Sequence, residues 1–164
     1  MGLRRRRWLA VSGGEQPSVS MTCTTTGAGE TLTLQQIRPV DRVATVYWGD
    51  GTTSTIAIGN TGTTTHVYAT AGTYDVRIAG PREYHTIDLR DTKLKWYSLG
   101  GATYNVSNTF YLSGLAGGVI NTADMAGWTL SYQFYVYNLP LVTGVWNTAD
   151  MAGWTLSYQF VVYN

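Results

Sequence analysis

Ten residues, Arg82 to Asp91 (REYHTIDLRD), hold most of the side chains in this sequence that could move a proton. Glu83, His85, Asp88 and Asp91 are the acid and base candidates, since a carboxylate and an imidazole within reach of one substrate can trade a proton near neutral pH. Glu83, His85 and Asp91 lack the apolar setting that shifts a pKa, so the segment is read as a charged junction between two domains. The rest of the inventory is thin. His66 is the only other histidine, and there is no Gly-x-Ser-x-Gly elbow, HExxH pair, phosphate loop or dinucleotide fingerprint. Cys23 stands alone, which excludes an internal disulfide and a multi-cysteine metal site and leaves a small buried strand residue. No catalytic residue, metal site or cofactor is assigned, and the protein is expected not to be an enzyme.

Aromatic residues offer a different chemistry. Tyr111, Tyr135 and Tyr137 recur at positions that period-two alternation sends to one face of a sheet, with Asp88 and Arg90, Ser113, Gln133, Val161 and Tyr163 continuing that face. A row of tyrosines is amphipathic and loses little entropy when immobilised, which suits a sugar ring or a protein surface. The same row could serve only to stiffen the sheet through cross-strand pairs.

The elements that must position these residues fall into two halves. The 164 residues have room for one or two small domains, and 44% hydrophobic content is enough for real cores. Charged residues are 13%, about half the usual share, while Gly, Thr and Tyr are abundant, a profile of β-rich extracellular, cell-surface or virion material. Arg4 to Arg7 supply four of the eleven basic residues, and beyond Trp96 only Asp124 and Asp150 are charged, so no basic surface for nucleic acid is expected. Residues 1–16 read as a flexible basic arm. RRRRWLAV begins like a secretory signal, but its apolar run is shorter than the ~7 to 15 residues a signal needs, and no stretch approaches the ~20 of a membrane span. Membrane insertion is not expected.

Residues 17–81 contain short alternating segments separated by Gly and Asp-Gly turns. Leu32 and Leu34 face a core while Thr31 and Thr33 face water, and the pattern predicts a small antiparallel sandwich. Within it, WGDGT at Trp48, Gly49, Asp50, Gly51 and Thr52, followed by His66, Tyr68, Gly72, Thr73, Tyr74 and Val76, resembles the PKD domain. That resemblance implies an immunoglobulin-like β-sandwich of extracellular proteins. Some members bind calcium near such acidic turns, but here Asp50 is read as a turn former, because Asp-Gly favours a hairpin and a hard cation wants six or more oxygens.

In residues 82–164 the pattern changes. Apolar pairs recur at Ile87/Leu89, Phe110/Leu112, Phe134/Val136 and Phe160/Val162, with steps of 23, 24 and 26 residues. A recurrence of this length predicts a solenoid of about four coils, in which each coil relies on the next to bury its apolar side. These strand cores resemble the strand segment of the leucine-rich repeat, with Leu94, Leu115 and Leu139 following downstream and Asn138 one position before the family's asparagine ladder. The expected fold is thus mainly β, a PKD-like sandwich followed by leucine-rich-repeat-like coils.

One stretch, NTADMAGWTLSYQF, is written twice, at Asn121–Phe134 and Asn147–Phe160. Asn121 or Thr122 would cap a short helical turn that Gly127 ends, and Met151, Trp154 and Leu156 would stack on Met125, Trp128 and Leu130. The last coil carries no polar cap, so it is expected to seek a neighbouring molecule. The expected function is a structural protein that self-assembles, head-to-tail and into a fibre in the extended case. The alternative is a surface adhesin that recognises a glycan or a surface protein through its tyrosines.

Overall fold

Strand makes up 56% and helix 6% of the structure, which is mainly β. The computed structural model describes residues 18–98, 103–138, 142–145 and 147–163; the arginine-rich arm, Leu139 and Asn164 lie outside the described residues. The first seven strands are β1 (Ser18–Thr25), β2 (Glu30–Leu34), β3 (Gln36–Pro39), β4 (Ala44–Tyr47), β5 (Thr53–Ile56), β6 (Thr64–Tyr68) and β7 (Gly72–Ala79). Eight follow: β8 (Glu83–Leu89), β9 (Leu94–Ser98), β10 (Asn105–Ser113), β11 (Gly117–Asn121), β12 (Thr129–Leu130), β13 (Gln133–Tyr137), β14 (Val142–Val145) and β15 (Gln159–Tyr163). Two 3-10 turns, Thr122–Met125 and Thr148–Met151, are the only helical segments among the described residues.

A seven-stranded sheet runs β14-β11-β9-β1-β7-β4-β5 and a six-stranded sheet β15-β13-β10-β8-β3, with β12 beside β10 and β2 paired to β6. Pairs among the first seven strands are antiparallel. Two strands carry the change of direction. β8 is antiparallel to β3 and parallel to β10, and β9 is antiparallel to β1 and parallel to β11. Both sheets therefore continue across the boundary between Pro81 and Arg82. From β8 onward the chain alternates between the sheets, and each visit adds a parallel strand one place farther from the antiparallel half.

One buried cluster draws side chains from both large sheets and from the β2–β6 pair. Alternation supplies it in β2, where Leu32 and Leu34 are buried and Thr31 and Thr33 face outward. A register shift between β8 and β10 sets Val106 opposite Tyr84 and Phe110 opposite Ile87, four positions of β10 against three of β8, and all four residues are buried. β10 and β13 end alike: Gly114 (φ 62°) and Asn138 (φ 53°) take the left-handed conformation that glycine and asparagine tolerate best, and the Gly114 N–H donates to the Asn138 carbonyl at 3.0 Å. Asn138 is thus a turn residue, which accounts for its place directly after the strand.

Candidate functional site

The repeated segment builds two successive layers, Asn121–Tyr137 and Asn147–Tyr163, and the second lies on the first. Locally they start alike. Asn121 and Asn147 are extended at φ −125° and −126°, and each side-chain oxygen accepts the N–H two residues on, from Ala123 at 3.0 Å and Ala149 at 3.1 Å.

Between the layers the contacts are specific. Thr122, fully buried, accepts the Asn147 N–H at 2.8 Å and donates to the Asp150 carboxylate at 2.9 Å. The Leu130 carbonyl accepts from Thr155 at 2.8 Å, that of Ser131 from Ser157 at 3.2 Å, and that of Tyr132 from Tyr158 at 3.1 Å. Beyond them β13 and β15 pair in register, Phe134 opposite Phe160 and Val136 opposite Val162. Rings follow the same register: Tyr132 stacks on Tyr158 at 5.1 Å, and Phe110, Phe134 and Phe160 form one column at 5.4 and 5.3 Å. The close approach needs glycine at Gly153, where a Cβ would lie 2.6 Å from the Trp128 carbonyl oxygen.

What covers the first layer does not cover the second. Met125, Trp128, Leu130, Phe134 and Val136 are buried, whereas Met151, Trp154 and Leu156 are half-buried. Phe160 is 49%, Val162 40% and Tyr158 60% exposed. The apolar pattern places Phe160 and Val162 in a core, as it does Ile87, Leu89, Phe110 and Leu112, which are buried. The difference is that no described strand lies beyond β15 in its sheet or beyond β14 in the other.

The opposite edge of the six-stranded sheet is closed. Along β3 the Pro39 carbonyl accepts from the Gly59 N–H at 2.9 Å, Gln36 donates to the Thr61 carbonyl at 3.3 Å, and Pro39 has no N–H to offer.

On the outer face of the parallel strands, Tyr111 lies 5.4 Å from Tyr135 and 5.5 Å from Tyr137, and the Tyr111 and Tyr137 hydroxyls share a hydrogen bond. Arg90 sits 4.3 Å over the Tyr111 ring and donates to Asp88 from both Nε (2.7 Å) and Nη2. Burial, with the bond to Tyr137, pushes the Tyr111 phenol up to about 12. The three tyrosines are half-exposed, Val161 continues the line opposite Tyr135, and Tyr163 lies opposite Tyr137.

Three of the four acid and base candidates are engaged separately. Asp88 is held by Arg90. Asp91 accepts the N–H groups of Thr33 at 3.0 Å and Lys93 at 2.9 Å, tying β2 to the turn before β9. His85 contacts the Thr86 hydroxyl at 3.0 Å and Arg38 at 3.4 Å, and desolvation, then the Arg38 charge, lowers its pKa. Glu83 is exposed. Cys23 is fully buried, and desolvation pushes its thiol up to about 11, which keeps it protonated. Among the described residues no group of three His, Cys, Asp or Glu side chains could hold a metal ion.

The WGDGT residues form one cluster with those downstream. Asp50 accepts both the N–H (2.9 Å) and hydroxyl (2.7 Å) of Thr52 on one oxygen and meets His66 Nε2 at 2.7 Å on the other. His66 stacks on Trp48 at 4.8 Å, Tyr68 donates to the Trp48 carbonyl at 2.9 Å, and Tyr74 stacks on Tyr68 at 4.0 Å. Gly49 (φ 85°) lets the Asp75 backbone approach, since a Cβ there would lie 2.7 Å from the Asp75 nitrogen, while Gly51 (φ 93°) completes the turn. The Gly72 N–H donates to Thr25 at 3.1 Å. Both carboxylate oxygens of Asp50 are thereby engaged, one by Thr52 of the turn and one by His66.

Sequence reasoning missed the Thr122–Asp150 link and the Tyr132–Tyr158 stack. The signal for the Tyr132–Tyr158 stack was present in the duplication, because a step of 26 residues sets those two counterparts, like Phe134 and Phe160, against each other; the Thr122–Asp150 link joins positions that are not counterparts and left no such signal. No protein-family model matches the chain, and neither a curated protein nor a solved structure shows significant similarity to it.

Proposed function

We propose that the protein is a non-enzymatic structural protein of an extracellular, cell-surface or virion assembly, and that its outermost repeat layer is a self-assembly surface. In this reading residues 17–81 are a PKD-like sandwich, residues 82–164 a leucine-rich-repeat-like solenoid, and copies associate head-to-tail in the extended case. The observation that carries it is the exposure of Phe160 and Val162 on β15, with Tyr158 just ahead of it, where the matching Phe134 and Val136 of β13 are buried. Burying Phe160 and Val162 against a neighbour would contribute roughly 1 to 3 kcal/mol each, and the outer row of β15 backbone groups offers pairing to a further strand. The non-enzymatic reading is supported by the separate structural engagement of Asp88, Asp91 and His85.

Sedimentation over a concentration series, with electron microscopy of the same material, tests the proposal. Wild-type chain is expected to associate and Phe160→Asp to stay monomeric. A wild-type chain that stays monomeric at its highest soluble concentration would sink the reading.

A second reading has its own observation. Tyr111, Tyr135 and Tyr137 stand side by side and half-exposed beside the Arg90–Asp88 pair, a surface suited to a glycan or a surface protein. Glycan-array binding that disappears on Tyr135→Ala while association is unchanged would favour it.

A further inference from the structure

The interface that could hold another layer is already drawn inside the chain. The layer Asn147–Tyr163 sits on Asn121–Tyr137 through three sets of groups: the Thr122 hydroxyl, the carbonyls of Leu130, Ser131 and Tyr132, and the rings of Tyr132 and Phe134. Because fourteen residues are identical, the outer layer presents each set again, as Thr148, the carbonyls of Leu156, Ser157 and Tyr158, and the rings of Tyr158 and Phe160. Thr148 is exposed and its hydroxyl has no hydrogen bond among the described residues, whereas Thr122 is fully buried and bonded to the Asn147 N–H and the Asp150 carboxylate.

We infer that the outer face of Asn147–Tyr163 is a template for its own sequence, taking the Asn147–Tyr163 layer of a second copy in the parallel register in which that layer sits on Asn121–Tyr137. The incoming Asn N–H would donate to the Thr148 hydroxyl, which would donate in turn to the incoming Asp. The incoming Phe would extend the column of Phe110, Phe134 and Phe160, and the incoming Trp would meet Phe160 as Trp154 meets Phe134, at 4.9 Å.

This selects sequence as well as shape. A generic apolar strand could pair with β15, but only a segment that brings a backbone N–H and, three residues later, a carboxylate such as that of Asp ahead of the strand satisfies Thr148. The β3 edge of another copy is a poor occupant, since the Gly59–Thr61 loop already takes carbonyls there and supplies one to Gln36, and Pro39 lacks a donor. The least-covered layer is also the one most easily released, because a stacked array opens from its ends. Release leaves Asn121–Tyr137 of the donor open to a third copy, so exchange propagates.

The source of the segment, a second copy, rests on the assembly reading; the recognition by Thr148 does not. The test is titration of the full chain into a fluorescent peptide with the sequence of Asn147–Tyr163, read by anisotropy, beside sedimentation of the chain alone. Saturable binding is expected, weakened about five- to tenfold both by Thr148→Val in the chain and by Asp150→Ala in the peptide. Thr148→Val removes no side-chain hydrogen bond among the described residues, and an unchanged denaturation midpoint confirms that it folds. Equal binding by the Thr148→Val chain, equal binding of a scrambled peptide, or no binding at all would overturn the template. If the chain associates while the peptide ignores Thr148, the template fails and the assembly reading stands; Thr148-dependent peptide binding by a strictly monomeric chain gives the reverse.

Discussion

Asn121–Phe134 and Asn147–Phe160 are one sequence in two environments, and their differences isolate what neighbours add to a fold. Caps and turn positions are the same in both, since the asparagine bond is local. Burial differs at the inward positions, as at Met125 and Met151 or Phe134 and Phe160, because the first copy has a layer on each side and the second has one described neighbour. Even the backbone departs at one place: Ala126 has ψ 131° and Ala152 ψ −25°, with Gly127 at φ 78° in the first copy. An alanine-glycine pair admits both turns, so one sequence serves both copies. Local chemistry starts each layer, and the covering layer determines how much stability its apolar side chains yield.

Paired substitutions can break that comparison. The largest contrast is expected at the phenylalanine column: Phe134→Ala should cost about 3 to 5 kcal/mol and Phe160→Ala about 1 kcal/mol, read from urea midpoints. Equal costs would mean that the outer layer is covered in solution. Next, Thr122→Val removes an acceptor and a donor between layers and should cost about 1 to 3 kcal/mol, against less than about 0.5 kcal/mol for Thr148→Val. A smaller effect should be shared: Asn121→Ala and Asn147→Ala each lose one cap, about 1 kcal/mol apiece in thermal or chemical denaturation. A marked inequality there would show that capping depends on the covering layer.

The smallest effect separates the antiparallel half from the repeats. Desolvation pushes the Asp50 and Asp41 carboxyls up, but hydrogen bonds outweigh it, from Thr52 and His66 to Asp50 and from the Glu83 and Arg82 N–H groups and Arg42 to Asp41, so both pKa values are lowered. Their stabilisation is present above the ordinary carboxylate value of 3.8 and is lost as pH falls through the lowered folded values. Titration below about pH 4 should lower the denaturation midpoint, and Asp50→Asn should flatten that slope. An unchanged slope in Asp50→Asn would remove Asp50 from the account.

The sequence made some of this visible and hid the rest for physical reasons. β1 and β2 show in alternation or in runs of β-branched residues, and the apolar pairs from Ile87/Leu89 to Phe160/Val162 stand in register along one sheet. β11 and β14 were hidden. Gly117, Gly118 and Gly144 weaken their strand propensity, and only pairing with β9 and with each other makes them strands. Gly118, at φ 133°, holds a conformation closed to other residues, so the glycine that argued against a strand is what allows this one. The Arg82–Asp91 cluster read as candidate chemistry because proximity in sequence says nothing of partners; Asp91 bonds to Thr33, 58 residues away. That the last coil wants cover was legible in its lack of a polar cap; that Phe160 itself stays open was not, since identical letters encode the buried Phe134.

The last repeat step, 26 residues, supplies one strand to each large sheet, β14 to one and β15 to the other. Gaining or losing such a unit would lengthen or shorten both sheets by the same amount, and every seam would still join the same residues. Array length is therefore free to drift under duplication and deletion while the architecture is inherited intact, and reach can be tuned without inventing a new interface.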